Sequence, residues 1–325
     1  MLPLTLRGKN RLNPHSSSLI LMHIAVLDLG TNTFHLLIVE RKPDGHWHVL
    51  LKNKIYVKLA EEGIQRIGAA PYARGLNALR QFRAQLDEAG VPQENIRAFG
   101  TAALRTAENA PDFLKEVWEI AQIRPESISG DREAALIYKG VREAVPFPDH
   151  RVLIMDIGGG SVEFIIADRE RVNWQQSFPI GVSVLFRDFH HSDPISTEEI
   201  RHLNQFLGKA LEALWQALEQ FPCPTLIGAS GTFDVIDIFL LDPATKPELY
   251  GQLAPGDFEP LRDMLTRSTL AERRAMAQLP NERVEMVVVA MVLIQHVLDR
   301  ANIRDIYTST YAMKEGMLAE IRGER

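Results

Sequence analysis

One feature constrains the fold of this chain more than any other: it repeats itself. Residues 26–38 (VLDLGTNTFHLLI) align without a gap on residues 154–166 (IMDIGGGSVEFII). Asp28 falls on Asp156 and Gly30 on Gly158, at a constant offset of 128 residues, with apolar positions matched on both sides. A period this long does not suit a solenoid, whose units are far shorter. It suits two similar domains, each opening with the same β-hairpin. A length of 325 residues agrees with two domains. Two such domains, facing each other, place two turns of small residues across one cleft.

The surrounding pattern predicts strands alternating with helices, hence α/β layers rather than a bundle or sandwich. The first half reads as a hairpin from His23, a turn at 42–45, more strand, and a helix over 71–89. A short strand at 96–101 and a helix over 112–121 follow, then a strand and helix over 128–142. The loop Val145-Pro-Phe-Pro148 marks the domain boundary. Beyond it come the second hairpin, a helix over 196–220, a strand with a glycine turn (TLIGASGT), an amphipathic stretch over 258–277 and a helix over 281–300. A strand at 305–308 and a closing helix complete the chain. Ser196 and Glu199 have the spacing of a capping box. The division is therefore a 22–147 domain and a 148–310 domain, with the closing helix, within 311–325, packing back on the first. Residues 1–21 carry Arg7, Lys9 and Arg11, no acid and no apolar run long enough for a signal peptide. They read as a flexible extension, with Met22 as an alternative start.

Composition closes off several functions. A net charge of -6 excludes a generally basic nucleic-acid binder. Trp47, Trp118, Trp174 and Trp215 are scattered and give no stacking platform for single strands. Hydrophobic residues at 46% and charged residues at 24% argue against disorder. The single cysteine, Cys223, excludes an internal disulfide and a cysteine-cluster zinc site, which points to a reducing compartment, the cytoplasm. The apolar run over 286–294 is too short to cross a bilayer, which needs about 20 residues. Its Met286, Val289, Leu293 and Val297 are expected to form a core stripe, and His190-His191 a surface loop.

The repeated hairpin turns are where chemistry is expected. Glycines let a backbone approach a ligand, and successive N–H groups in such a turn form a nest for anions. The hydroxyls of Thr31, Thr33 and Ser161 add donors for phosphate oxygens. Asp28 and Asp156 would repel phosphate directly, and their natural partner is Mg2+, held by one or two carboxylates with phosphate oxygens and water. One such hairpin could be an ordinary turn; a duplicated one with its aspartate kept is harder to explain that way. A third turn, Gly228-Ala-Ser-Gly-Thr232, could cradle a further phosphate, although glycine after a strand is most often only a turn. It is not a nucleophile elbow, since Thr232 stands where glycine is required.

The ordered set DLGTNTFHLLIVE, GTAALRTAENAPDF, ISGDREAALIYKGV, DIGGGSVEF, PIGVSVLF and GASGTFD resembles the exopolyphosphatase and guanosine pentaphosphate phosphohydrolase family. The resemblance covers essentially residues 22–321, as in the family's shorter members. It implies duplicated RNase H-like domains of the actin, sugar kinase and Hsp70 ATPase superfold around a central cleft. It also implies Mg2+, with Mn2+ as a substitute, and hydrolysis of a terminal phosphoanhydride. Carried over, Glu133 is the catalytic base and Asp156 stands near metal and water. Asp28, Asp156 and Glu163 are metal ligands. The phosphate binders are Thr31, Asn32 and Thr33 in the first loop, Gly158, Gly159, Gly160 and Ser161 in the second, Gly231 and Thr232 in the third, and Arg105. Water then attacks in line, with no phosphoenzyme, because Cys223 lies outside every motif.

The chain departs from the family in places. Thr31 and Thr33 stand for serines. His35 stands where some members carry an arginine associated with guanine nucleotides, Glu282–Val288 replaces a stretch containing Arg-Ala-Asp, and Met313-Lys-Glu-Gly replaces Leu-Arg-Glu-Gly. These changes bear on substrate preference. The expectation is an exopolyphosphatase acting on inorganic polyphosphate. Guanosine pentaphosphate is the rival substrate, and a silent sensor of either anion is a reading that retention of Glu133, Asp156 and Glu163 disfavours. A kinase of the same superfold is disfavoured by the ISGDREA segment. No nucleic acid or membrane partner is expected, and the C-terminal helices leave a homodimer open.

Overall fold

A computed structural model describes residues 22–323, so the reading of 1–21 lies outside the described residues. The strands are β1 (Met22–Leu29), β2 (Thr33–Arg41), β3 (Trp47–Tyr56), β4 (Ile96–Gly100), β5 (Glu126–Ser127), β6 (Val152–Ile157), β7 (Val162–Ala167), β8 (Val172–Phe178), β9 (Thr225–Ala229), β10 (Tyr250–Leu253) and β11 (Asp305–Ser309). The helices in the first half are α1 (Ala69–Glu88), α2 (Ala102–Thr106), α3 (Ala110–Ala121) and α4 (Gly130–Ala144). Those that follow are α5 (Val182–Phe189), α6 (Thr197–Ala210), α7 (Glu212–Gln220), α8 (Gly231–Leu240), α9 (Pro255–Arg267), α10 (Leu270–Ala275), α11 (Val287–Ala301) and α12 (Met313–Arg322).

They form two mixed sheets, ordered β3-β2-β1-β4-β5 and β10-β11-β9-β6-β7-β8. The sequence repeat becomes a structural repeat. In each sheet the hairpin (β1–β2, β6–β7) is antiparallel and continues into a third antiparallel strand. Its first strand pairs in parallel with a strand arriving from a helix (β4, β9). Even the irregularities repeat: the ladder slips between Ile38 and Val39, and again between Ile166 and Ala167. Those positions share the offset of the aspartates.

Period-2 alternation decides what each strand faces. On β1, Ala25, Leu27 and Leu29 join a core under α1 and α3, while Ile24 and Val26 point the other way. On β6, Leu153, Met155 and Ile157 join the large core of the second half, and Val152 and Ile154 face back. The two backward faces meet over α4 and α12, which lie between the sheets and share one apolar cluster with both. These two helices approach closely at paired glycines. A Cβ on Gly140 would stand 2.0 Å from the Ala312 carbonyl oxygen, and one on Gly316 would stand 1.8 Å from that of Leu136.

Three expected elements differ in detail. The 196–220 helix is two, because Leu211 leaves the helical region (φ -99°, ψ 18°); Ser196 and Glu199 do close their capping box. The turn lets Leu211 and Leu214 both reach the core. The 258–277 stretch breaks where Thr269 starts a new helix with a capping box of its own. The 281–300 helix begins only at Val287, since residues 281–286 bend along the cleft between the sheets. Met286, just before the helix, packs only partly buried against the second-half core, and its sulfur faces Asn32 and Ser183. No helix among the described residues is long and apolar enough to cross a membrane.

Candidate active site

The repeated turns are built the same way. In the first, Gly30 N–H donates to the Thr33 carbonyl (3.1 Å); in the second, Gly158 N–H donates to the Ser161 carbonyl (2.9 Å). A Cβ at either glycine would stand within 2.9 Å of that carbonyl oxygen, so only glycine closes these turns unstrained. Both turns line one cavity of about 160 Å³, together with Asp28, Glu133, Asp156, Glu163 and Gly231.

Two of the expected binding residues stand elsewhere. Thr232 lines a small hollow behind the cavity, beside Asn32 and Met286. Arg105 lines a neighbouring cavity, although its guanidinium reaches back to Glu133 (3.2 Å) and the Ile128 carbonyl (2.8 Å). Two others line the main cavity but use their side chains internally. Thr31 Oγ1 accepts from Ala103 N–H (3.1 Å), and Asn32 Oδ1 accepts from Ser183 Oγ (2.9 Å), joining the two halves.

The acids are arranged for charge concentration. Asp156 lies directly across the β6–β7 ladder from Glu163, as Asp28 lies across β1–β2 from His35. Glu163, only 1% exposed, accepts hydrogen bonds from Ser161 (2.7 Å) and Ser177 (2.6 Å). Asp156 accepts one from Ser230. Ser230 sits at φ 63° at the start of α8, a left-handed conformation that a non-glycine residue adopts at a cost. Here it aims the hydroxyl at the carboxylate.

Glu133 lies in the first turn of α4, whose N-terminus is capped by Ser129. Burial raises its carboxyl well above the ordinary range. Glu163 adds to the rise, and Arg105 opposes it. Burial, then Glu163, pushes Asp156 up to about 8. Burial lifts Asp28 to about 6 against the pull of Lys314.

Three positive or polar partners escaped the sequence reading. Lys314, on the first turn of α12, lines the cavity, and Asp28, Asp234 and Asp156 all act on its ammonium through space. Arg283 and Asp234 line the same wall. The altered segments around residues 283 and 314 were visible in the sequence. Their approach to Asp28, from the far end of the chain, was not. His35 is held neutral, its pKa pushed well below the usual value by burial and by Lys314.

The architecture and this constellation have known counterparts. The sequence profile of the Ppx/GppA phosphatase family matches residues 38–324. The chain belongs to the Ppx/GppA phosphatase family. It is 30% identical over 298 residues to a putative exopolyphosphatase of Haemophilus influenzae, covering 91% of this chain and 90% of that one. It is 28% identical over 311 residues to the guanosine-5'-triphosphate,3'-diphosphate pyrophosphatase of Aeromonas hydrophila, covering 92% of this chain but only 59% of that protein. Among solved structures, an exopolyphosphatase from Cytophaga hutchinsonii superposes with a TM-score of 0.88 at 38% identity, covering 93% of this chain and 98% of that one. The Aquifex aeolicus family member shares the fold (TM-score 0.76, 24% identity, 94% and 99% covered). The fold is thus the actin-like, two-domain fold of these phosphatases.

Proposed function

We propose that this family member is an exopolyphosphatase, removing the terminal phosphate of inorganic polyphosphate by in-line attack of water. The observation that carries the reading is that two glycine turns, one from each half, line one cavity together with Glu133. Phosphoryl transfer depends on positioning and charge neutralisation more than on covalent chemistry. The N–H groups of both turns and Lys314 supply donors to the phosphoryl oxygens. Glu133 orients the water and takes its proton on a carboxylate oxygen, while Arg105 fixes that carboxylate in place. The raised pKa of Glu133 makes it a better base than an exposed glutamate.

Asp28, Asp156 and Glu163 are hard oxygen donors crowded together without enough positive charge, a set that fits Mg2+ or Mn2+. Among the described residues no three acids, histidines or cysteines converge as a ready-made cage. Mg2+ needs only one or two carboxylates when phosphate and water complete its shell. Bound there, the cation would supply neutralisation of the phosphate charge.

Polyphosphate is favoured over guanosine pentaphosphate because, among the described residues, no phenylalanine, tyrosine or tryptophan lines the cavity to stack on a base, and neutral His35 offers no cation to one. The names of the Haemophilus and Cytophaga proteins point the same way. The test is Mg2+-dependent phosphate release from long polyphosphate and from guanosine pentaphosphate, side by side, with Glu133→Ala as control. Faster release from polyphosphate, lost in the variant, supports the reading. Preference for the nucleotide replaces the substrate, and binding without release of either turns the protein into a sensor.

A further inference from the structure

A second cavity, of about 270 Å³, adjoins the first and is lined by Arg105, Thr106, Ser129, Gln176 and Ser177. The two share Ala102, Gly160 and Ser161 as a common wall. The wall is closely packed at Gly160, where a Cβ would stand 2.6 Å from Ile64 Cδ1, 2.8 Å from Thr31 Oγ1 and 2.9 Å from Ala102 Cβ. Polar groups straddle it in pairs. Glu133 lines the first cavity and its partner Arg105 the second. Glu163 lines the first, and Ser177, which donates to it, lines the second.

We propose that this second cavity is the exit for orthophosphate, distinct from the path by which the substrate chain enters. The inference rests on the phosphoanhydride hydrolase reading. In-line displacement puts the attacking water and the leaving chain on opposite sides of the phosphorus. Glu133 marks the water side, and Arg105 stands behind Glu133. The freed phosphate therefore lies between the shortened chain and Arg105. While the chain still fills the first cavity, the Arg105 side is the route left to the product, and passage there requires the Arg105–Glu133 pair to part. The lining of that side suits a small anion: one guanidinium, the serine hydroxyls and the Gln176 amide. Among the described residues Asp131 is the single acid there, and it is exposed. An exit separate from the entrance lets the enzyme keep its chain between cuts.

The test uses the full chain with Thr106→Trp and, independently, Gln176→Trp. Both side chains line the second cavity and neither belongs to the site around Glu133 and Asp156. Cleavage in a single turnover is followed by rapid quench, and free orthophosphate by a fluorescent phosphate-binding sensor. First-turnover cleavage should stay near the wild-type rate while release slows about tenfold, because the blocked step follows chemistry. On the unmodified protein, orthophosphate should inhibit non-competitively against polyphosphate, because it leaves first and rebinds while the shortened chain still fills the first cavity. Release that keeps pace with cleavage in folded variants, or strictly competitive inhibition by orthophosphate, would overturn the proposal. A wild-type protein that cleaves neither polyphosphate nor guanosine pentaphosphate would instead overturn the hydrolase reading itself, and the exit with it.

Discussion

Asp156 and Glu163 face each other across the β6–β7 ladder, both buried, and among the described residues no lysine or arginine forms an ion pair with either. Like charges opposed on a sheet repel, and burial strengthens the repulsion by removing solvent screening. The equivalent pair in the first half is Asp28 and His35, where neutral imidazole replaces the second acid. The duplication has thus kept one aspartate per half but concentrated the negative charge in the second. The proposed divalent cation, bound beside Asp156, would relieve that repulsion.

That arrangement fixes the sign of a pH effect. Asp156 is raised from 3.8 to about 8. Between those values the folded protein holds a proton that the unfolded chain has lost. Stability from this group therefore falls as pH rises through that window. Without divalent cation, melting temperature should decline from pH 5 to pH 8. Asp156→Asn should flatten the decline, and Mg2+ should raise the melting temperature more at pH 8 than at pH 5. A cation effect equal at both pH values would show that Asp156 is not where the ion acts.

Glu133→Gln keeps the size of the side chain and a hydrogen-bond acceptor for Arg105, but cannot take a proton. A general base contributes about 10²- to 10⁴-fold, so kcat should fall by that range with KM nearly unchanged. Steady-state kinetics on polyphosphate decide it. A KM change with kcat preserved would make Glu133 a binding residue.

Gly231 opens α8 at the cavity, where an added Cβ would stand 1.6 Å from Arg283 Nη2. The obstruction is the tip of a flexible side chain, so Gly231→Ala should fold normally and displace the guanidinium. If Arg283 contacts the substrate chain, losing one charge-assisted hydrogen bond costs about 1.5 kcal/mol and raises KM roughly tenfold. Melting temperature should hardly move. An unchanged KM would place Arg283 outside the substrate path.

How far the sequence reached depends on distance along the chain. Both Asp–glycine turns were legible because strand period and turn chemistry are local, and because the second copy confirmed the first. The alignment that pairs Asp28 with Asp156 also pairs His35 with Glu163, so the asymmetry of charge was already written there. Lys314 and Arg283 were not legible as site residues. Each is an ordinary basic residue in its own segment, and only the packing of α12 and the bend at 281–286 bring them to Asp28 and Asp234. Ser230 was hidden for another reason: its left-handed backbone is imposed by the link from β9 to α8, where residue preference alone would suggest glycine. Helix ends failed where a break, at Leu211 or Val287, serves tertiary contacts rather than local propensity.

The contact of α4 with α12 ties stability to the site. Gly316 stands one turn inside α12, its Cα facing the Leu136 carbonyl, where a Cβ would stand 1.8 Å from the oxygen. Backbone cannot swing aside as a side chain can, so Gly316→Ala must push the two helices apart. Overpacking of this kind costs about 3 kcal/mol, a fall in melting temperature of roughly 5–10 °C. Gly256 is the control, because a Cβ there meets nothing within 4 Å and Gly256→Ala should be neutral or slightly stabilising. Lys314 and Glu133 ride on the two separated helices, so kcat of Gly316→Ala should fall even at temperatures where the variant remains folded. Full activity in a destabilised Gly316→Ala would mean that the placement of Lys314 relative to Glu133 is not critical, and would remove Lys314 from the reacting site.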